Sequence, residues 1–254
     1  MKPKVSVVTG HYNQKKLYIN VLRSLLKSKY KNDIEVVVTD DGSDPDQRLD
    51  DVPAMFPELP IKLTTINKED KKWGNSSIAF NISIYKAEGE ITILNSAECY
   101  HATDYIAYVI EHLQRSDYYT CKTFALTEEM SKDIENTIKT FPFESVRMIG
   151  NVGGWYNHPV YHQANSHWGS AIYTDIMQEK IGGFDERLAY GWGYDDWEMV
   201  TRIKRLGLRV SSPNDQLVLH QYHIPTKPTA EWPSNESKYN AIIREGNIKA
   251  PNKR

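Results

Sequence analysis

The chain has 254 residues, a formal net charge of -2 at pH 7 and 40% hydrophobic residues, which is typical of a soluble globular protein. The near balance of charge argues against bulk electrostatic attraction to nucleic acid or to an anionic membrane. Only two cysteines, Cys99 and Cys121, are present, so the sequence implies no disulfide framework and favours a reducing compartment. The length allows one large α/β domain or two small ones.

No apolar run approaches the roughly 20 residues that a membrane-spanning helix needs. The first strand is predicted to begin at Lys4 or Val5, which leaves no room before it for a signal peptide. We therefore expect a cytoplasmic protein without a transmembrane segment.

Residues 5–9 and 34–39 are β-branched runs that predict two strands, and Leu17, Val21 and Leu25 repeat between them at helical spacing. Further strands are predicted at 61–66, 90–94, 208–212 and 216–220, with a helix at 78–87. Continuous apolar strands that alternate with helices are typical of a parallel sheet covered on both faces. Ligands bind such sheets at the carboxyl ends of the strands, where residues 9–13 and 40–44 lie.

The fourth predicted strand leads into a polar segment that contains Glu98 and His101. Their spacing of three places both side chains on one face if this segment is a helical turn. Two ligands are too few to identify a metal site, and a polar turn explains the segment equally well. His220 and His223 follow the last predicted strand, which raises the odds of a ligand site there.

Residues 152–168 form a long segment with few aliphatic and many hydrogen-bonding aromatic side chains, which is typical of a functional loop. Helices are predicted after Thr103 or Asp104 and after Thr127, because an apolar stripe at helical spacing follows each position. From residue 225 onward Pro, Lys, Asn and Glu dominate, which indicates a wrapping or partly disordered tail.

The chain's most informative stretch is residues 181–205, where four glycines and four aromatic residues precede a helix opened by Asp195 and Asp196, and a fifth aromatic residue, Trp197, follows them. Aromatic faces beside carboxylates commonly hold sugars, since rings cover the C–H surface and carboxylates accept hydroxyl protons. A glycine-rich turn with Asp195 as the helix N-cap explains the same residues, and the two interpretations are compatible.

Six segments together resemble the large family of inverting glycosyltransferases with the GT-A fold: residues 5–13, 40–44, 79–81, the strand ending near Asn95, 182–185 and 193–196. Their order and spacing match over most of residues 4–224. The run Gly-Trp-Gly-Tyr-Asp-Asp at 191–196 also resembles the Trp-Gly-Trp-Gly-Gly-Glu-Asp signature of galactosyltransferases of that fold.

The resemblance implies a single α/β domain with a Rossmann-like, mixed and mostly parallel sheet flanked by helices. Residues 1–224 would form this domain, with a nucleotide-sugar-binding half at 1–100, an acceptor-binding and catalytic half at 101–224, and a tail at 225–254. The implied donor is a nucleotide sugar, most commonly UDP-linked, with galactose or N-acetylgalactosamine suggested by the Gly-Trp-Gly run. The implied acceptor is a hydroxyl of a glycan, a lipid-linked molecule or a protein.

The resemblance also implies roles for individual residues. Asp196 matches the catalytic base and Asp195 its acidic neighbour. The implied nucleotide-binding residues are Thr9, Tyr12, Asn13, Asp41, Asn81 and Asn95. The implied sugar or acceptor residues are Gly183, Phe184, Trp192, Trp155 and His162.

Two departures from the family pattern concern the donor side. The family's Asp-x-Asp, which holds a divalent metal on the diphosphate, aligns with Asn95 and Ala97, and a neutral pair does not suit Mn²⁺ or Mg²⁺. Either Glu98, with His101 or His220, holds the metal, or lysines and backbone N–H groups neutralise the phosphate without one. Phe80 stands where many relatives have an arginine.

Two other functions compete with transfer. A catalytically inactive module that binds a nucleotide sugar or a glycan would explain the missing Asp-x-Asp. A nucleotidyltransferase would be expected to carry a Gly- and Arg-rich phosphate loop after the first strand, and residues 10–13 are not such a loop.

Overall fold

The computed structural model describes residues 3–141, 157–158, 167–224 and 229–252. Its strands are β1 Val5–His11, β2 Ile34–Asp41, β3 Ile61–Ile66, β4 Ile91–Asn95, β5 Cys99–His101, β6 Asp117–Thr120, β7 Lys122–Ala125, β8 Asn157–His158, β9 Trp168–Tyr173, β10 Arg209–Ser211 and β11 Leu217–His220. Its α-helices are α1 Lys15–Leu25, α2 Val52–Met55, α3 Ser77–Lys86, α4 Tyr105–His112, α5 Glu128–Lys132, α6 Ile134–Thr140, α7 Asp195–Arg205 and α8 Glu236–Glu245. A π-helix covers Ile176–Ile181, and 3₁₀ helices cover Lys31–Asp33 and Glu186–Tyr190.

Seven strands form the main sheet in the order β10-β6-β9-β4-β1-β2-β3. Strands β1 to β4 pair in parallel, whereas β9 runs antiparallel between β4 and β6. The predicted mixed and mostly parallel sheet is therefore confirmed. A smaller sheet in the order β5-β11-β7-β8 lies at the carboxyl end of β4.

Side chains of β2 show that the main sheet is covered on both faces, as the apolar runs predict. All eight residues of the strand are buried. Val36 and Val38 join one hydrophobic cluster with Val21 of α1, while Val37 joins the other with Phe80 of α3. Successive side chains of a strand point to opposite faces, so both faces of the sheet contribute to a core.

The predicted strands and helices of the first hundred residues are confirmed to within a few residues. Strands β5 to β9 were not predicted, and the helix predicted after Thr127 is broken at Asp133 into α5 and α6. Within the described ranges, no helix combines the length and apolar character needed to cross a bilayer.

The described part of the C-terminal segment packs on the loop that precedes α7. Ala250 donates its N–H to the Ile181 carbonyl at 2.8 Å, and Arg187 pairs with Glu245 of α8 at 2.7 Å. Residues 229–252 therefore wrap around the glycine-rich stretch, and the domain boundary at residue 224 stays a prediction.

Candidate active site

The register of the sheet brings the ends of β1 and β2 side by side, with His11 opposite Asp40. The next residue of β2, Asp41, accepts hydrogen bonds from Lys71 Nζ and Trp73 Nε1, each at 2.9 Å. Lys71 Nζ also lies 3.7 Å from the centroid of the Tyr12 ring. Burial raises the pKa of Asp41, against the opposing charge of Lys71. An aromatic face beside a carboxylate suits a planar base that offers an N–H group.

Asn13 shapes the turn after β1 through its backbone. It adopts a positive φ of 52°, a conformation that asparagine tolerates better than most residues. Its side chain exchanges two hydrogen bonds with Asp44, at 2.9 and 2.8 Å, and its N–H donates to Ser43. These contacts tie the turn after β1 to the turn after β2 and leave Tyr12 44% exposed.

Three other predicted nucleotide-binding residues are buried and bonded within the protein. Thr9 donates to the Asn95 carbonyl at 2.8 Å, and Asn95 donates to the carbonyls of Ser96 and Cys99. Asn81 exchanges hydrogen bonds with the Phe184 backbone, accepting at 2.8 Å and donating at 3.0 Å. These three residues would affect a bound nucleotide indirectly, by holding the backbone segments that their side chains contact. Their direct roles stay predictions.

Gly183 is fixed in place by the same asparagine. Its φ is +72°, and a Cβ atom there would overlap Asn81 Oδ1. The next residue, Phe184, is fully buried and its ring lies 5.5 Å from that of Phe80. The turn that is predicted to form the floor of the sugar site is therefore held against α3 by the side chain of Asn81.

We expect Gly183→Ala to destabilise the protein more than Gly193→Ala, a matched control with the same φ of +72° and open space around it. Both variants incur the left-handed backbone cost of about 1–2 kcal/mol. Only Gly183→Ala adds the overlap with Asn81, which we expect to cost a further ~1–3 kcal/mol. Urea unfolding of both variants measures the difference, and equal losses would show that the turn yields without cost.

Glu98, His220 and His223 form a cluster at the meeting point of β4, β5 and β11. One ligand atom from each side chain lies within 4.8 Å of the others, and His220 Nε2 is 3.4 Å from Glu98 Oε1. The backbone of Gln221 donates to the Glu98 carbonyl at 3.0 Å, which holds the two segments together. Burial raises the pKa of Glu98, but the histidines outweigh it and bring that pKa down to about 2.

This cluster corrects the sequence-based metal set, which joined His101 to Glu98 and His220. Residues 99–101 form β5 and not the helical turn that would place Glu98 and His101 on one face. The His101 ring instead bonds Asn95 Oδ1 through Nε2 at 3.1 Å. Burial lowers the pKa of His101 to about 4, so the ring is neutral at physiological pH. His223, and not His101, lies close enough to Glu98 and His220 to share a metal ion with them.

Asp195 and Asp196 lie at the first two positions of α7. The helix cap is Tyr194, with a φ of 70°, rather than Asp195 as the sequence suggested. Asp195 is buried and accepts from Ser77 Oγ at 3.4 Å. Burial and the neighbouring charge of Asp196 raise the pKa of Asp195 to about 6. The outer carboxylate, Asp196, is 25% exposed and is the better placed of the two to meet a substrate.

Asp196 forms an ion pair with His167, whose Nδ1 lies 2.6 Å from Asp196 Oδ1. Burial opposes the charge on His167, but Asp196, Asp195 and Glu98 outweigh it and raise the pKa of His167 to about 9. His167 therefore connects the carboxylates of α7 electrostatically with Glu98 of the metal-ligand cluster.

Aromatic side chains line the approach to α7. Trp192 is 36% exposed and Trp197 43% exposed, and the Trp197 ring lies 5.6 Å from that of Tyr194. Trp155 and His162, the other predicted acceptor residues, lie outside the described residues.

Two asparagines hold the loop that carries Trp192. Asn75, which lies between β3 and α3, donates to the carbonyls of Leu188 and Gly191. Asn235, from the C-terminal segment, donates to the carbonyls of Leu188 and Gly193. The loop is therefore anchored both to the segment between β3 and α3 and to the C-terminal segment.

Sequence reasoning missed His167 and Trp73 as site residues. His167 is the last residue but one of the aromatic segment 152–168, whose composition indicated function without pointing to this residue. Trp73 follows the lysines 71 and 72, which drew attention only as possible phosphate contacts. Neither contact has a local sequence signal, because each joins segments about 30 residues apart along the chain.

The model of glycosyl transferase family 2 matches residues 6–172, and the model described as the N-terminal domain of galactosyltransferase matches residues 158–226. An uncharacterized glycosyltransferase, YfnE of Bacillus subtilis strain 168, is 24% identical over 87% of this chain and 65% of its own length. This chain thus spans less than two thirds of that relative.

Solved structures share the fold at low sequence identity. TarS 1-349 of S. aureus in complex with UDP has a TM-score of 0.65 and 19% identity, covering 98% of this chain and 67% of that chain. GalNAc-T7 with UDP, GalNAc and Mn²⁺ has a TM-score of 0.62 and 17% identity, covering 96% of this chain and 48% of that chain. The model of glycosyl transferase family 2 covers well over half of the sequence. The chain therefore belongs to glycosyl transferase family 2 and has the GT-A fold.

Proposed function

We propose that this protein transfers a hexosyl group from a UDP-linked sugar to a hydroxyl group of a glycan, a lipid-linked molecule or a protein, with inversion at the anomeric carbon. The observation that carries the proposal is the position of His167, which forms an ion pair with Asp196 and is also influenced by the charge of Glu98. An inverting transfer needs a base at the acceptor hydroxyl and positive charge at the leaving diphosphate. These two groups would supply both.

The pocket of Tyr12, Asp41, Lys71 and Trp73 is proposed to bind the nucleobase. Asp41 would accept an N–H of the base, and the Tyr12 ring would cover one face of it. The Lys71 ammonium group contacts both the Asp41 carboxylate and the Tyr12 ring. A bound base would therefore displace this ammonium group toward the phosphates. Binding of UDP by TarS supports a uridine nucleotide as the donor's leaving group.

The Glu98 cluster fits a divalent metal. One carboxylate and two imidazoles within 4.8 Å of one another are a donor set that Mn²⁺ accepts, and Mn²⁺ is present in the GalNAc-T7 complex. Bound there, the metal would neutralise charge that develops on the leaving diphosphate. Glu98 is ionised at neutral pH and is therefore ready to bind the cation.

Asp196 is proposed as the base. A carboxylate has a pKa near ~4, far below that of a sugar hydroxyl, so the proton should move late, as the new C–O bond forms. Asp196 would then stabilise the transition state by accepting a strengthening hydrogen bond. Asp195, behind it, would keep the N-terminus of α7 in place through Ser77.

Calorimetry with a panel of nucleotide sugars, with Mn²⁺ and again with EDTA, tests the proposal. We expect one UDP-sugar to bind with Mn²⁺ and to bind at least ~10-fold more weakly in EDTA or in Glu98→Gln. Glu111→Gln is the matched control, because that carboxylate lies on α4 and pairs with Lys29 and Tyr30 at the protein surface. Equal affinity with and without metal would contradict the assignment of Glu98.

The competing function is a module that binds a nucleotide sugar or glycan without transfer. The observation in its favour is Ala97, which is buried in the core at a position where the resemblance implies an aspartate of the Asp-x-Asp. Donor binding without transfer or slow donor hydrolysis would support this function.

A further inference from the structure

His167 is fixed in the protein independently of Asp196. Its carbonyl accepts the N–H of Ser96 at 2.7 Å, which ties the residue to the turn after β4. Its ring lies 5.7 Å from that of Phe80 and 6.3 Å from that of Phe184. A hydrogen bond therefore holds the backbone of His167, and two buried phenyl rings lie near its imidazole.

The contact between His167 and Asp196 joins two distant segments at the entrance to α7. The side chains are 18% and 25% exposed, so the pair is more sheltered from water than an ordinary surface ion pair. Asp195, the neighbouring carboxylate, accepts instead from Ser77. Nδ1 of His167 lies 2.6 Å from Oδ1 of Asp196, so the contact restrains the orientation of the carboxylate.

We propose that His167 is a positioning residue that holds the Asp196 carboxylate in the orientation that accepts the proton of the acceptor hydroxyl. This inference rests on the proposed function, since it assigns a role toward the proposed base. Phe80 contributes by packing against the imidazole, which gives a structural use to a residue where many relatives have an arginine. Removing His167 would leave Asp196 present but without the Nδ1 contact to its Oδ1.

A double-mutant cycle between His167 and Asp196 tests the proposal. In the wild-type background, His167→Ala should lower kcat for sugar transfer by about 10²-fold, the cost typical of a misplaced reacting group. The Kd for UDP and the KM for the acceptor should change by less than about threefold, because His167 holds the base and not the substrates. In the Asp196→Asn background, the same change should lower kcat by less than about threefold.

The conservative variant His167→Gln keeps an N–H donor and should recover part of the rate, with a loss of less than about tenfold. It also keeps the cycle usable if His167→Ala does not fold, which circular dichroism and UDP binding would reveal. A loss of about 10²-fold that persists in the Asp196→Asn background would overturn the positioning role and assign His167 to general structure. Unchanged kcat in His167→Ala would overturn it as well.

Failure of the proposed function has a separate signature. It appears in the wild-type protein or in Asp196→Asn alone, as no transfer or as unchanged transfer respectively. The positioning role of His167 is judged from the loss in kcat that His167→Ala causes in the wild-type background, compared with its loss in Asp196→Asn.

Discussion

Replacing Asp196 with asparagine is expected to lower kcat for sugar transfer by about 10²- to 10⁴-fold, the usual contribution of a general base. Asparagine keeps the size and the hydrogen-bonding oxygen of the side chain but cannot take the proton. The affinity for the UDP-sugar should stay within about threefold of wild type, since the proposed nucleobase site lies at the ends of β1 and β2. Steady-state kinetics and calorimetry on the same preparation measure both quantities.

Asp46→Asn provides the matched control for this prediction. Asp46 is exposed in the turn after β2, so the same chemical change there should leave kcat unaltered. Near-normal turnover by Asp196→Asn would remove it as the base and make Asp195, whose raised pKa of about 6 suits proton uptake, the next residue to test.

The second large effect is expected on stability, from Arg202→Met. Arg202 and Glu198 are each 1% exposed, and two of the contacts that join them are 2.7 Å long. Arg202 also donates to the carbonyls of Ile181 and Gly183. Removing the guanidinium leaves the Glu198 carboxylate buried and unpaired, which typically costs about 3–5 kcal/mol. Urea unfolding should show a matching decrease in the free energy of unfolding.

The double variant Arg202→Met with Glu198→Leu separates the two sources of that loss. It removes the uncompensated charge, so it should be more stable than Arg202→Met alone. Its remaining deficit would report the two carbonyls that lose a donor. If the double variant is no more stable than the single one, the carbonyl contacts and not the ion pair account for the effect.

Much of the fold was predictable because its first half follows simple rules. The strands β1, β2 and β3 are dense in β-branched residues and bounded by turn signals, so their positions follow from periodicity. Strand β9 escaped because its sequence, Trp-Gly-Ser-Ala-Ile-Tyr, contains one β-branched residue and a glycine. Its place in the sheet is fixed by pairing with β4 and β6. Such long-range pairing leaves no local pattern.

The candidate site divides in the same way. The adjacent carboxylates Asp195 and Asp196 were identifiable because the residues around them carry a family pattern. The sequence could not show whether His101 or His223 lies beside Glu98, because that depends on whether residues 99–101 form a helical turn or a strand. Strand β5 is three residues long and forms by pairing with β11, which lies more than 100 residues away in the chain. Only the tertiary structure decides which histidine reaches Glu98.

The two asparagines on the loop before α7 bear on how this protein can be shortened or recombined. Asn235 is fully buried, and its side chain supports the same Leu188 carbonyl that Asn75 supports from the other side. Truncation after residue 224 would remove one of these two supports along with the strand-like bridge between Trp192 and Ser234. Chimeras that exchange acceptor loops among relatives should therefore carry residues 229–252 together with residues 186–197, as one transferable unit.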